Sequence, residues 1–153
     1  MNIDVRSVSL DPPEVTTLIK ALNAELEQRY PEEGANHFRL DPEEVAPGRG
    51  VFLLAYVEGE AVGCGATRLN DARTAEIKRM YVLPAYRGKG IAARLLEELE
   101  HHARTLGAQE LVLETGERQP EAVALYSRAG FQTIPLFGEY VNSPLSVCMG
   151  KVL

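Results

Sequence analysis

The segment Val82-Leu83-Pro84-Ala85-Tyr86-Arg87-Gly88-Lys89-Gly90-Ile91-Ala92 sets two glycines and two cations between an apolar run and a stretch of helical periodicity. The first N–H groups of a helix have no intrahelical acceptor, and the helix dipole adds positive potential at that end. Glycines let the chain approach a ligand and leave those donors unobstructed. With Arg87 and Lys89 alongside, the turn suits a phosphate or pyrophosphate. A P-loop requires Ser or Thr after Gly-Lys, and Gly90 stands there instead. Gly88-x-Gly90-x-x-Ala93 formally matches the dinucleotide fingerprint, with Glu114 where a ribose-binding acid would lie. That fingerprint begins directly after a strand of a βαβ repeat, whereas five residues separate Val82 from Gly88 here and hairpins come before. Cys64 and Cys148 have no metal-ligand spacing and are too few for a disulfide framework, so both read as small buried hydrophobes and no metal is expected.

The elements that must position this turn follow from periodicity. Residues 3–8 alternate as a first strand. Asp11-Pro12-Pro13-Glu14 reads as a helix start with Asp11 as N-cap, and Val15, Leu18, Ile19, Leu22 and Leu26 give residues 12–29 one apolar face. From Tyr30 to Gly50 the pattern dissolves into an irregular cover around one short helix; His37 and the acids Glu32, Glu33, Asp41, Glu43 and Glu44 lie in it. Three strands follow as a meander: 51–57, closed by a Glu58-Gly59 turn, then 61–69, closed by Asn70-Asp71, then 75–82. Residues 91–106 form an amphipathic helix capped by Gly107. Leu111–Leu113 is a short buried strand, 120–129 a second short helix ending at Gly130, and strands near 131–134 and over 146–152 complete the order β-α-β-β-β-α-β-α-β-β.

Composition narrows the function classes. The 153 residues suit one domain, and 45% hydrophobic with 25% charged residues is the globular average, which excludes a disordered chain. Sixteen Lys and Arg against twenty-two Asp and Glu leave a net charge of −6, contrary to the cationic footprint of a nucleic-acid binder. No apolar run reaches the ~20 residues of a membrane span, and the N-terminus lacks the layout of a secretory signal, so a cytoplasmic protein is expected.

Arg87-Gly88-Lys89-Gly90-Ile91-Ala92 resembles the R/Q-x-x-G-x-G/A motif of the GNAT superfamily of acyl-CoA-dependent N-acetyltransferases. Gln119-x-x-Ala122-x-x-Leu125-Tyr126-x-x-x-Gly130-Phe131 resembles the family's second signature, with Gln119 in place of Asn. Glu76-Ile77 opens the preceding strand as in many members, and Phe137–Tyr140 with Pro144–Cys148 is similar to a bacterial subgroup of unassigned substrate. The resemblance spans roughly residues 51–131 and implies one N-acetyltransferase domain over 1–153. Its fold would be α/β (α+β): a mixed, largely antiparallel, splayed sheet of about seven strands flanked by about four helices.

The resemblance further implies acetyl-CoA as acetyl donor, with its pyrophosphate on the amides of Arg87, Gly88, Lys89, Gly90, Ile91 and Ala92. The pantetheine arm would lie along Met80, Tyr81 and Val82, with Gln119 and Ala122 completing the coenzyme site. Tyr126 would protonate the departing thiolate and Glu76 would serve as general base, unless Glu76 is a structural carboxylate paired with Lys78, Arg79 or Arg68. The implied activity is direct acetyl transfer to a primary amine, on a small molecule in the first reading and on a peptide or protein in the second. A non-catalytic acyl-CoA sensor and a dinucleotide-binding oxidoreductase stay open at this level, and the family also allows a homodimer. The acids of the irregular cover suggest a rim that attracts a cationic acceptor.

Overall fold

A computed structural model describes residues 1–36 and 39–153; His37 lies outside the described residues. The chain runs β1 (Ile3–Val8), α1 (Pro13–Arg29), β2 (Gly50–Val57), β3 (Glu60–Leu69), β4 (Thr74–Val82), α2 (Ile91–Thr105), β5 (Glu110–Gly116), α3 (Pro120–Arg128), β6 (Gln132–Ile134) and β7 (Ser146–Val152). Single 3-10 turns occur at Pro42–Val45, Pro84–Tyr86 and Gly138–Tyr140. The expected mixed sheet is present, with three α-helices among the described residues. Its seven strands lie in the order β1-β2-β3-β4-β5-β7-β6. All neighbours pair antiparallel except β4 and β5, which are joined through α2 and run parallel.

Local chemistry fixes the ends of these elements. Glu58 and Gly59 both take positive φ (51° and 82°), the backbone a tight hairpin between β2 and β3 demands. Asp71 Oδ1 accepts the N–H groups of Arg73 and Thr74, each at 2.8 Å, which holds the turn into β4. The start of α1 differs from the sequence reading. Pro12 is the cap (φ −55°, ψ 140°), and Asp11 caps nothing, its own N–H donating to Ser9 Oγ. Pro13 pushes the residue before it out of helical geometry, so the helix cannot begin at Pro12 and its cap has no side-chain oxygen to offer.

Two apolar layers sandwich the sheet. On one face, Leu95, Leu96, Leu99 and Ala103 of α2 and Tyr126 of α3 pack on Leu53, Val62, Ile77, Leu111 and Leu113. On the other, Val15, Leu18 and Leu22 of α1 pack on Phe52, Leu54, Cys64, Ala66 and Tyr81. Each fully buried Leu or Phe contributes roughly 1.5–3 kcal/mol, so the two layers hold the sheet from both sides.

Candidate active site

Two irregularities in β4 build the site. The β3–β4 register jumps between Cys64 and Ala66, which pair with Tyr81 and Lys78, so Gly65 opposes both Arg79 and Met80. At this bulge Arg79 adopts φ 58°, and Cys64 Sγ donates to its carbonyl at 3.3 Å. The second irregularity is a fork. The β4–β5 ladder stops at Ile77↔Leu113, while β5 stays paired with β7 as far as Gly116. Beyond Ile77, β4 therefore turns an unpaired edge towards a wedge between the strands.

The wedge opens into a cavity of about 510 Å³ lined by the start of α2, by α3 and by Leu22 and Glu25 of α1. Met80, Tyr81, Val82, Arg87, Gly88, Gly90, Ile91, Ala92, Gln119 and Ala122 all line it; of the coenzyme residues expected from sequence, Lys89 does not. Gly88 and Gly90 have φ of 76° and 85°, and a Cβ at either would meet no protein atom within 4 Å. Backbone conformation, not crowding, is what demands glycine here. The first bond of α2 runs from the Arg94 N–H to Gly90 O at 3.1 Å, so the amides of Ile91, Ala92 and Ala93 precede it as free helix-end donors. Arg87 is less available than its position suggested. Its N–H bonds to Pro84 O, its Nε to Val82 O at 2.9 Å and its guanidinium to Glu25 at 2.9 Å. Arg128, not singled out in the sequence, adds a cation to the same wall.

A second cavity, about 110 Å³, lies between the wedge, α1 and the segment before β7. It shares Leu22, Met80, Gln119, Ala122 and Tyr126 with the first, so the two meet at these side chains. Tyr126 is buried edge-to-face on Phe131 at 5.8 Å between centroids. Burial, with the nearby Glu114 carboxylate adding to it, raises its phenol well above the usual tyrosine value, so the group stays a neutral donor.

Glu76 sits elsewhere. It is 2% exposed and lines neither cavity. Its carboxylate accepts from Arg68 at 3.3 Å, Asn70 at 3.1 Å and Tyr140 Oη at 2.7 Å, and Arg68 also pairs with Glu44. The carboxylate that does line the second cavity is Glu114, the first residue of β5 beyond its pairing with β4. Ser146 Oγ donates to it at 2.6 Å. Burial pushes its carboxyl up to about 7, against the lowering by the Ser146 hydrogen bond. In the sequence its signal is an acid closing the apolar run Leu111-Val112-Leu113, a position that equally suits a ribose-binding acid.

The acidic cover is mostly committed to pairing. Glu32 binds Arg118 at 2.7 Å, Asp41 binds Arg39 at 2.9 Å and Glu44 binds Arg68. None of the five acids lines either cavity, so the structure gives the idea of a cation-attracting rim no support.

Residues 15–131 match the model of the Acetyltransferase (GNAT) family. The chain belongs to this family. An IAA acetyltransferase of Azospirillum brasilense is 42% identical over 140 residues, covering 91% of this chain and 90% of that protein. The structure of a Klebsiella pneumoniae protein proposed to be an acyl-CoA N-acyltransferase superposes with a TM-score of 0.84 at 36% identity, over 99% of this chain and 97% of that one. A GNAT acetyltransferase from Elizabethkingia anophelis, solved with acetyl-CoA bound, shares the fold with a TM-score of 0.71 at 20% identity and 99% coverage of both chains. This GNAT chain is an acetyl-CoA-dependent N-acetyltransferase. Among the described residues no helix is long and apolar enough to cross a membrane, and no group of His, Cys, Asp and Glu could hold a metal ion.

Proposed function

We propose that the whole chain is one N-acetyltransferase domain that moves an acetyl group directly from acetyl-CoA to a small primary amine within a ternary complex. The observation that carries this is the junction of two cavities at Tyr126. The larger is lined by the glycine turn and the free β4 edge, and the smaller holds a carboxylate of raised pKa. The pyrophosphate would rest on the helix-end amides after Gly90, and pantetheine would add to β4 at Met80–Val82 as an extra strand. An N–H near Tyr81 or Val82 would bind the thioester carbonyl and the oxyanion that forms from it.

Two proton movements then remain. An alkyl ammonium with a pKa near ~10 must lose a proton before attack. Glu114, ionised above about 7 and facing the smaller cavity, takes it. Glu76, with both carboxylate oxygens bonded inside the protein, is better read as an anchor that ties Tyr140 of the cavity wall to Arg68 and Asn70. On the departing side, a free thiol has a pKa of about 8.5, below the raised value of Tyr126. The Tyr126 hydroxyl therefore stabilises the nascent thiolate chiefly as a hydrogen-bond donor. The acceptor cavity, at about 110 Å³, has room for a small amine. Cys64 and Cys148, both free thiols, support a cytoplasmic setting. Incubating the protein with acetyl-CoA and a panel of amines, and detecting released thiol, tests the reading. Amine-dependent release is expected, and binding of acetyl-CoA without release to any amine would favour a sensor instead.

A further inference from the structure

The acceptor cavity contains a charge that acetyl transfer alone does not use. Lys78 is 6% exposed, lines the cavity, and its Nζ has no hydrogen-bond partner among the described residues. Native interiors rarely leave an ammonium in that state, because its desolvation is not offset. The nearest carboxylate on its own strand cannot serve, since Glu76 is bonded to Arg68, Asn70 and Tyr140. Burial pushes the ammonium below its usual pKa, while the charge of Glu76 holds it up.

Geometry sets Lys78 opposite the base. Ile77 pairs with Leu113, so Lys78 and Glu114 are the next residues on β4 and β5, where the strands part. Both lie on the α1 face, because alternation from Ile77 and Leu113, which face α2, turns their neighbours to the other side. A cation and a carboxylate therefore stand on the two arms of the fork, over a cavity of about 110 Å³. That arrangement is the electrostatic complement of a zwitterion. We infer that the acceptor is a small amino acid, its carboxylate bound by Lys78 and its ammonium delivered to Glu114. This rests on the transferase reading above and adds the substrate class to it. The carboxylate would fix the amine's orientation towards the thioester, and amines without an acid group would lack that anchor.

Two measurements separate this from the transferase reading. The first is calorimetric binding of N-acetylglycine and N-acetylglycinamide to the CoA-loaded protein. The acid should bind more tightly than the amide, and Lys78→Met should erase the difference, roughly 10- to 100-fold for a charge-assisted hydrogen bond. The second compares turnover of glycine, L-alanine and L-serine with glycinamide and L-alaninamide. The acids should be preferred. Because the Lys78 charge also acts on Glu114, and so on every amine, the readout is the acid-to-amide ratio of kcat/KM. Lys78→Met should reduce that ratio towards one by a similar factor. The acid-to-amide preference is read in the wild-type protein, so it does not depend on the variant's folding. Equal or absent binding of acid and amide, equal use of both, or an acid-to-amide ratio that Lys78→Met leaves unchanged overturns the proposal. Lys78-dependent preference for N-acetylglycine with no acetyl transfer to any amine would uphold the anion site and remove the transferase reading.

Discussion

At the scale of single residues, the site depends on two side chains whose protonation is set by burial. Tyr126→Phe keeps the ring on Phe131 and removes only the hydroxyl, so stability should change little. The single-turnover rate of acetyl transfer should fall by roughly 10²-fold, and a rate equal to wild type would reduce Tyr126 to packing. Glu114 has a signature in stability as well. Its carboxyl is raised to about 7, so the folded state holds this proton more tightly than the unfolded chain does. The corresponding stability is fully present below an ordinary Glu pKa near ~4.3 and is lost as pH rises through about 7, by up to ~3 kcal/mol. Glu114→Gln should flatten that decline in denaturant titrations between pH 4 and 8. An unchanged slope would mean the carboxylate is better solvated than its position indicates. Glu114 and Lys78 were hard to find in the sequence for one reason. Glu114 closes an apolar run and Lys78 stands between the charges of Glu76 and Arg79, so each reads equally as a strand-end charge or a structural ion pair until the fork places both on one cavity.

At the scale of elements, the turn into α2 was legible because its constraints are local: two positive-φ glycines followed by a strongly amphipathic helix. Gly90→Asp should impose strain of about 1–2 kcal/mol at φ 85° and set a carboxylate before the helix-end amides. Acetyl-CoA affinity should then be lost in a protein that remains folded, as read by circular dichroism and calorimetry together; retained affinity would move the pyrophosphate elsewhere. The clamp over the wedge was not legible, because it joins residues nearly ninety apart. Arg29 Nη1 donates to Arg118 O at 3.0 Å, Arg118 Nη1 donates back to Arg29 O at 2.7 Å, and the Arg118 N–H donates to Tyr30 Oη at 2.9 Å. Gly116 makes this possible, since a Cβ there would come within 1.9 Å of Tyr30 Oη. Gly116→Ala should displace Tyr30 and cost about 1–3 kcal/mol by overpacking, with a rise in acetyl-CoA Kd as α1 moves off the wedge. A Gly116→Ala protein with wild-type stability would show the clamp to be slack. The cap of α1, by contrast, is decided locally: Asp11 fits the cap pattern, but the Pro12-Pro13 pair shifts the helix start past its reach.

At the scale of the whole molecule, the succession of elements and a mixed, largely antiparallel sheet followed from the pattern of elements and the family motifs, whereas the spatial order of the strands, the parallel β4–β5 pair and the fork are properties of pairing that no single strand encodes. A ligand seated in that fork joins both helical layers through β4. Saturating acetyl-CoA at 100 times its Kd should stabilise the fold by ~2.7 kcal/mol and raise Tm by roughly 5–10 °C. NAD(P)H should produce no shift, and a nicotinamide-dependent shift would revive the dinucleotide reading. The central claim is that the two cavities are one reaction site, with coenzyme in the larger, amine in the smaller and Glu114 as the base lining the smaller one. Its most direct test is the single-turnover rate of acetyl transfer against pH for wild type, Glu114→Gln and Glu76→Gln, using an amine that the wild-type protein accepts. The wild-type rate should rise with pH through about 7 and then level, because only ionised Glu114 accepts the proton. Glu114→Gln should abolish that rise and lower the plateau by roughly 10²-fold, while Glu76→Gln keeps the rise. An intact rise near 7 in Glu114→Gln, or its loss in Glu76→Gln alone, would contradict the account.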